Sequence, residues 1–357
     1  MERFSFSICF FFQKLVGLYL YVSRLTRKVE AFFSLTVVLV LLLFPSERAE
    51  AGPSVEEQRQ RAIVGRDLLL ARRYSEVESF LEKTVREWPE ELLGVFGFMA
   101  YYQVRNLENF DFRFDADYLR WEEKGRKKAL RIAKDPNASP WDLLMAGGTL
   151  GVSGFYRAHN SKWFAALRDS STAFHAMERA FRKDPRVVDS LLGIGLHDYW
   201  RSHFTKSLRF LPFFPDRRKE GIEKMKRVKE QSDFTGVLAE ISIAFIDLEE
   251  KRYQQVLETT SKLLNRYPRN TIFRMLQGET LFQLKKYRES VAEFEKILST
   301  DPSITKSYLF MGLAYAKEGK EPEKAKELLK KYLELEPNAP SHWRKPALQK
   351  LKALEKK

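Results

Sequence analysis

Apolar and small residues recur at spacings of three and four along the chain, as in Tyr118, Trp121, Gly125, Ala129 and Ile132. Phe164, Leu167, Phe174, Met177 and Phe181 follow the same rule. That spacing lays side chains along one face of an α-helix. Helix ends are written as plainly. Proline follows the last helical residue in Trp88-Pro89, Asp135-Pro136, Asp184-Pro185, Tyr267-Pro268, Asp301-Pro302 and Glu336-Pro337, and it can neither donate to the helical ladder nor leave its predecessor helical. Ser54 with Glu57 forms a capping box, and Ser139, Pro140 and Asp142 supply an N-cap, a first-turn proline and an acid.

The pattern repeats. Gly278 and Gly312, Tyr253 and Tyr287, and Pro268 and Pro302 are each 34 residues apart, and Gly278, Tyr287 and Pro302 step by 9 and 15. Gly65, Tyr74 and Pro89 make the same two steps. A fixed period of this length predicts stacked helix pairs, with a small residue where the second helix crosses the first and a tyrosine at the turn.

These residues resemble the tetratricopeptide repeat. Gly278, Tyr287, Phe294 and Pro302 match its consensus, with Ser290 where alanine is usual. Tyr308, Gly312, Tyr315, Ala325 and Pro337 match again, with one residue inserted before Ala325. Weaker units run from Val237 to Asn270 (Ala244, Tyr253, Pro268) and from Gln58 to Glu91 (Gly65, Tyr74, Leu81, Pro89). The resemblance implies an all-α fold, a right-handed α-solenoid of antiparallel helix pairs. It places one unit at 52–91, three at 237–337 and a capping helix within 338–357, from about Pro346 to Glu355. Between them, 92–236 reads as longer, irregular hairpins, because successive helix-ending prolines lie 47 and 49 residues apart. The stretches 191–200 and 211–221 are similar to exported bacterial tetratricopeptide proteins of undefined activity.

The N-terminus reads as a targeting segment. Arg24, Arg27 and Lys28 precede a 14-residue apolar run, Ala31 to Phe44, and then Ala49, Glu50 and Ala51. A basic region, a short apolar core and an A-x-A triplet predict a signal peptide cleaved before Gly52 and a periplasmic protein. The alternative is an uncleaved segment anchoring the chain to the inner membrane. A second apolar stretch, Phe4 to Val22, either lies upstream of the true start or pairs with the first.

The formal charge of +14 admits anionic lipid or glycan as a partner; no nucleic-acid partner is expected. The single cysteine, Cys9, falls in the leader. No nucleophile elbow, phosphate loop or paired-histidine zinc motif occurs, so no catalytic residue, metal or cofactor is expected. An enzyme in 92–236 would have to draw on Trp141, His159, Asp198 and His203. Gly147, Gly148, Gly151 and Gly154 on one helix imply either a closely packed neighbour or a ligand groove. Phe210, Phe213 and Phe214, rimmed by Arg209, Arg217 and Arg218, form either an aromatic docking segment or a plug.

Carried over from the family, the groove that grips a protein or peptide partner comprises Leu238, Ile241, Phe245, Ile272, Met275, Glu279, Phe282, Lys306, Leu309, Leu313 and Lys317. It lacks the Lys and Asn of carboxylate-clamping members, so its partner would be an apolar or amphipathic segment.

Overall fold

A computed structural model describes residues 52–109, 112–208 and 215–356. The targeting segment and Phe210, Phe213 and Phe214 lie outside the described residues. Contacts divide the described chain into two units. The smaller, within 203–216, holds the end of one helix and a 3-10 turn at Lys206–Leu208. The larger unit comprises 53–202 with 217–357.

Fifteen helices follow one another without a strand among the described residues: α1 Val55–Leu70, α2 Tyr74–Glu87, α3 Leu93–Asn109, α4 Asp115–Lys134, α5 Pro140–His159, α6 Trp163–Lys183, α7 Ser190–Phe204, α8 Arg218–Gln231, α9 Gly236–Glu249, α10 Tyr253–Arg266, α11 Thr271–Gln283, α12 Tyr287–Thr300, α13 Lys306–Glu318, α14 Pro322–Leu335 and α15 Ser341–Glu355. The fold is an all-α solenoid of helix pairs.

Local chemistry explains the boundaries. Ser54 and Glu57 cap α1 reciprocally, and the Ser139 hydroxyl accepts from the Asp142 N–H at the start of α5. All six proline-marked ends stop a helix, at Glu87, Lys134, Lys183, Arg266, Thr300 and Leu335. The long period in the middle comes from longer helices: α4, α5 and α6 have 20, 20 and 21 residues, whereas α10, α12 and α14 have 14.

The α1–α2, α5–α6, α9–α10, α11–α12 and α13–α14 turns each reverse the chain through one residue of positive φ: Arg72, Ser161, Lys251, Lys285 and Gly319. Four of those five are not glycine, and an L-residue there costs roughly 1–2 kcal/mol. The cost is met by packing of the flanking helices. Phe294 and Leu329 press onto Gly278 and Gly312, where an added Cβ would lie 2.9 and 2.8 Å from their side chains. Of the four α5 glycines, Gly147 and Gly154 are packed against Met177 and Ser170 of α6, which favours the close-packing reading there, while Gly151 faces open space.

The capping helix starts earlier than its proline suggests. α15 begins at Ser341 and carries Pro346 inside. One ladder bond is lost, but Ala347, Trp343, Leu351 and Leu354 pack on Leu309, Leu329 and Tyr332 and offset it.

Candidate functional site

The first helix of each pair supplies the inner face of such an array, and here the N-terminal pair turns back onto the far end of it. Along α1 the partners advance one pair at a time. Arg59 donates to Asp189, before α7, at 2.9 Å, and to Asp233, before α9, at 3.0 Å. Arg66 donates to the Asp233 and Phe234 carbonyls. Tyr267, between α10 and α11, donates to Asp67 at 2.7 Å, and the Asn270 amide donates to the Leu70 carbonyl at 2.8 Å. Arg72 then reaches Asp301, between α12 and α13, at 2.7 Å. Apolar packing backs the ladder, with Leu70 and Ala71 against Val237, Leu263, Tyr267 and Phe273.

At the end of α3 the contact goes deeper. Glu108 accepts from Arg72 at 2.6 Å, from Tyr74 at 2.8 Å and from the Thr271 hydroxyl at 2.5 Å. The Arg72 and Glu108 side chains are each only 5% exposed. Burial works against the charge on Arg72, yet the Glu108 hydrogen bond and charge outweigh it and hold the guanidinium above its ordinary pKa. Asn109 donates to Thr305 and accepts from the Lys306 N–H, both at 3.1 Å. A four-membered polar latch, Arg72, Glu108, Thr271 and Asp301, thus joins residues up to 229 positions apart.

This closure decides which groove residues remain reachable. Leu238 and Ile241 pack against the same buried cluster as Leu70 and Ala71. Leu309 and Leu313 pack under α15. Met275 and Lys306 are buried, and the Lys306 ammonium lies 3.6 Å from the centre of the Trp343 ring. Ile272, Glu279 and Phe282 are half-buried. Burial raises the Glu279 carboxyl above its ordinary pKa against the pull of Lys306. Phe245, at 42%, and Lys317 are exposed. The covered residues sit toward the starts of the inner helices or beneath α15; Phe245, Phe282 and Lys317 sit toward the ends.

The four residues named for an enzyme do not gather. Trp141 and His159 stand at opposite ends of α5, about 27 Å apart at 1.5 Å per residue. Trp141 is buried and donates to Gln58 at 2.8 Å. Asp198 is buried against Lys224, and His203 belongs to the smaller unit. No group of three or more metal-ligating side chains occurs among the described residues.

Sequence reasoning missed a second polar cluster, on the middle helices. Ser153 donates to Glu122 at 2.6 Å and to Asp169 at 3.1 Å. Arg126 forks onto Asp169 at 2.7 and 2.8 Å, and Arg157 donates to Glu122 at 2.6 Å. Burial would raise the Asp169 pKa, but the Arg126 hydrogen bonds and charge hold it below the usual carboxylate range. Beside this cluster a cleft of about 520 Å³ is lined chiefly by Arg126, Lys127, Arg131, Lys134 and Arg157.

The sequence profile of the tetratricopeptide repeat matches residues 273–304 and 305–339. A search of curated proteins found no match. Among solved structures, a tetratricopeptide repeat protein from Parabacteroides merdae is similar at 14% identity, covering 84% of this chain and 99% of its own, with a TM-score of 0.39. MamA from Desulfovibrio magneticus is similar at 16% identity, 44% and 94% coverage and a TM-score of 0.32. Human IFIT1, solved as a dimer with m7Gppp-AAAA, is similar at 15% identity, 80% and 74% coverage and 0.35. None of these likenesses bears on what this chain binds. The helix pairs α11–α12 and α13–α14 are tetratricopeptide repeats, a motif that supports a scaffold for protein–protein interaction.

Proposed function

We propose that the protein is an exported scaffold of the bacterial cell envelope that holds an apolar or amphipathic segment of another protein. The segment lies across the outer ends of the inner helices, on Phe245, Phe282 and Lys317. The observation that carries this reading is the exposure of Phe245 beside a groove whose other end is filled by the chain itself. A large aromatic left at 42% exposure on the recognition face of a repeat array suits an apolar anchor, and Lys317 suits an acidic flank. The repeat family generally serves in scaffolding rather than catalysis. Export rests on the basic cluster, the apolar run and the triplet ending at Ala51.

Two measurements test the halves separately. A photo-crosslinking phenylalanine at Phe245, in cells, is expected to trap one protein that the same group at exposed Glu258 on α10 does not. Equal labelling at both positions would remove the groove from consideration. The mature N-terminus is expected at Gly52 in the soluble envelope fraction; an intact leader in the membrane fraction would replace export with anchoring.

A further inference from the structure

The outer flank of α4 carries positive charge that the fold does not neutralise. Lys127, Arg131 and Lys134 are exposed and follow at i, i+4 and i+7 on one face of the helix. None of the three has a carboxylate within ion-pair distance among the described residues. Their neighbours on the same helix do: Arg126 forks onto Asp169, and the Lys128 ammonium lies 3.7 Å from Glu90. Two acids line the cleft beside these bases. Glu122 is buried and taken up by Ser153 and Arg157, which leaves Glu123 as the exposed one.

The Lys134 end of the cleft is set for an anion as well. The last carbonyls of a helix carry the negative end of its dipole and would repel a carboxylate. Here Arg179 of α6 donates to the Ala133 and Asp135 carbonyls, at 2.5 and 2.6 Å. Lys183 donates to the Pro136 and Ala138 carbonyls, at 2.9 and 2.8 Å. Among the described residues neither cation is spent on a carboxylate, so positive charge remains beside Lys134, where exposed Asp135 is the opposing acid.

We propose that this cleft on α4 grips an acidic peptide segment of a partner protein, with one apolar residue of that segment lying between its carboxylates. The charge is complementary, and the floor of the cleft decides the class of partner. Half-buried Leu130 stands three residues after Lys127 and four before Lys134, so an apolar surface lies between the bases. A chain of phosphates would leave that surface unused. A bilayer does not enter a concave space of about 520 Å³. The bases span seven residues of α4, about 10 Å at 1.5 Å per residue, and an extended segment covers that length with three or four residues at about 3.3 Å each. The matching sequence is a short run with acids at both ends and a leucine-like side chain inside. Because α4 is the second helix of its pair and the cleft is on its outer flank, the proposal rests neither on the groove of the first helices nor on export.

The test titrates the full chain, held in a neutral detergent, with the peptide Gly-Glu-Glu-Leu-Glu-Glu-Gly in a calorimeter. The peptide is expected to bind, its counterpart with glutamine for every glutamate is expected not to, and serine in place of leucine is expected to weaken binding at least fivefold. Lys127→Gln with Arg131→Gln and Lys134→Gln should weaken it at least tenfold, with circular dichroism unchanged. Lys262→Gln with Lys345→Gln and Lys352→Gln removes the same charge from exposed positions on α10 and α15 and should leave the affinity within twofold. Equal losses from the two triple variants overturn the proposal, since net charge alone then attracts the peptide. Absence of binding overturns it too. Equal affinity for the leucine and serine peptides also overturns it, and displacement of both by polyphosphate of the same charge would then assign the cleft to a phosphate polymer.

Discussion

Replacing Glu108 with alanine strikes the latch where its partners have the fewest alternatives. Arg72, 5% exposed, would keep its charge and lose both hydrogen bonds to the carboxylate, at 2.6 and 3.2 Å. Breaking one member of a buried ion pair costs about 3–5 kcal/mol. Asp301, at 2.7 Å and 27% exposed, still accepts from Arg72 and brings the value toward the lower limit. Tyr74 and Thr271 lose a shared acceptor, adding about 1 kcal/mol between them after reorientation. The expected loss is therefore about 4 kcal/mol. Calorimetry would show more than a lower midpoint. The wild-type chain should unfold in one transition because its ends are joined; Glu108→Ala should separate an early transition of the C-terminal pairs, as in an open array whose units touch only their neighbours. Pairing Glu108→Leu with Arg72→Met should restore most of the stability, because an apolar pair of similar volume leaves no buried charge. A single-variant loss below about 1 kcal/mol, or a double variant no better than the single, would refute the latch as the element joining the two ends.

Two further predictions concern packing and acid. Gly195→Ala on α7 should cost about 2–3 kcal/mol in urea unfolding, since its Cβ would lie 2.6 Å from the Gly221 carbonyl and neither backbone can give way. Gly151→Ala meets nothing within 4 Å and should stabilise α5 by about 0.5–1 kcal/mol; the reverse order would contradict the packing described. Burial lowers the pKa of His159, His197 and His342, helped by Lys306 at the first and last and by Arg201 at His197. Unfolded imidazoles then take protons first, so this stability is present above about pH 6.5 and is lost as pH falls below it. Glu279, raised by burial, works in the opposite sense, and Asp169 and Asp301 lose their contribution only at more acid pH. The thermal midpoint should drop between pH 7.5 and 5.5 and flatten when the three histidines become glutamine; a flat wild-type profile would count against it.

Helix ends and the 34-residue period were legible because each depends on a few adjacent residues. Trp88-Pro89 or Ser54 with Glu57 stops or starts a helix by local geometry alone. The period in 92–236 was harder, since lengthening α4, α5 and α6 by about two turns shifts every landmark while leaving each helix well patterned. The closure had no periodic signal. Arg72, Glu108 and Asp301 read as solvated charges until the fold brings them together. One hint stood in α3, where Gln103, Asn106, Glu108 and Asn109 interrupt an apolar helix and are all buried. Groove positions carried over from the family fall on α9, α11 and α13, and carry no sign of which part of those helices the chain itself covers. Trp141 and His159 illustrate the converse, being plausible as a pair only until the length of α5 separates them.

The latch also ties folding to the order of synthesis. Arg72 occupies a left-handed turn and is buried by partners that follow it by as many as 229 residues. At about 5–20 residues per second, Asp301 emerges roughly 10–45 s after Arg72. During that interval α1 and α2 carry an arginine that has only Tyr74 and Glu108 of its partners, and an uncovered apolar edge at Leu70 and Ala71, so the N-terminal pair cannot mature alone. A chain truncated before α11 would leave that pair permanently waiting, a substrate for chaperones and proteases rather than a shorter functional array.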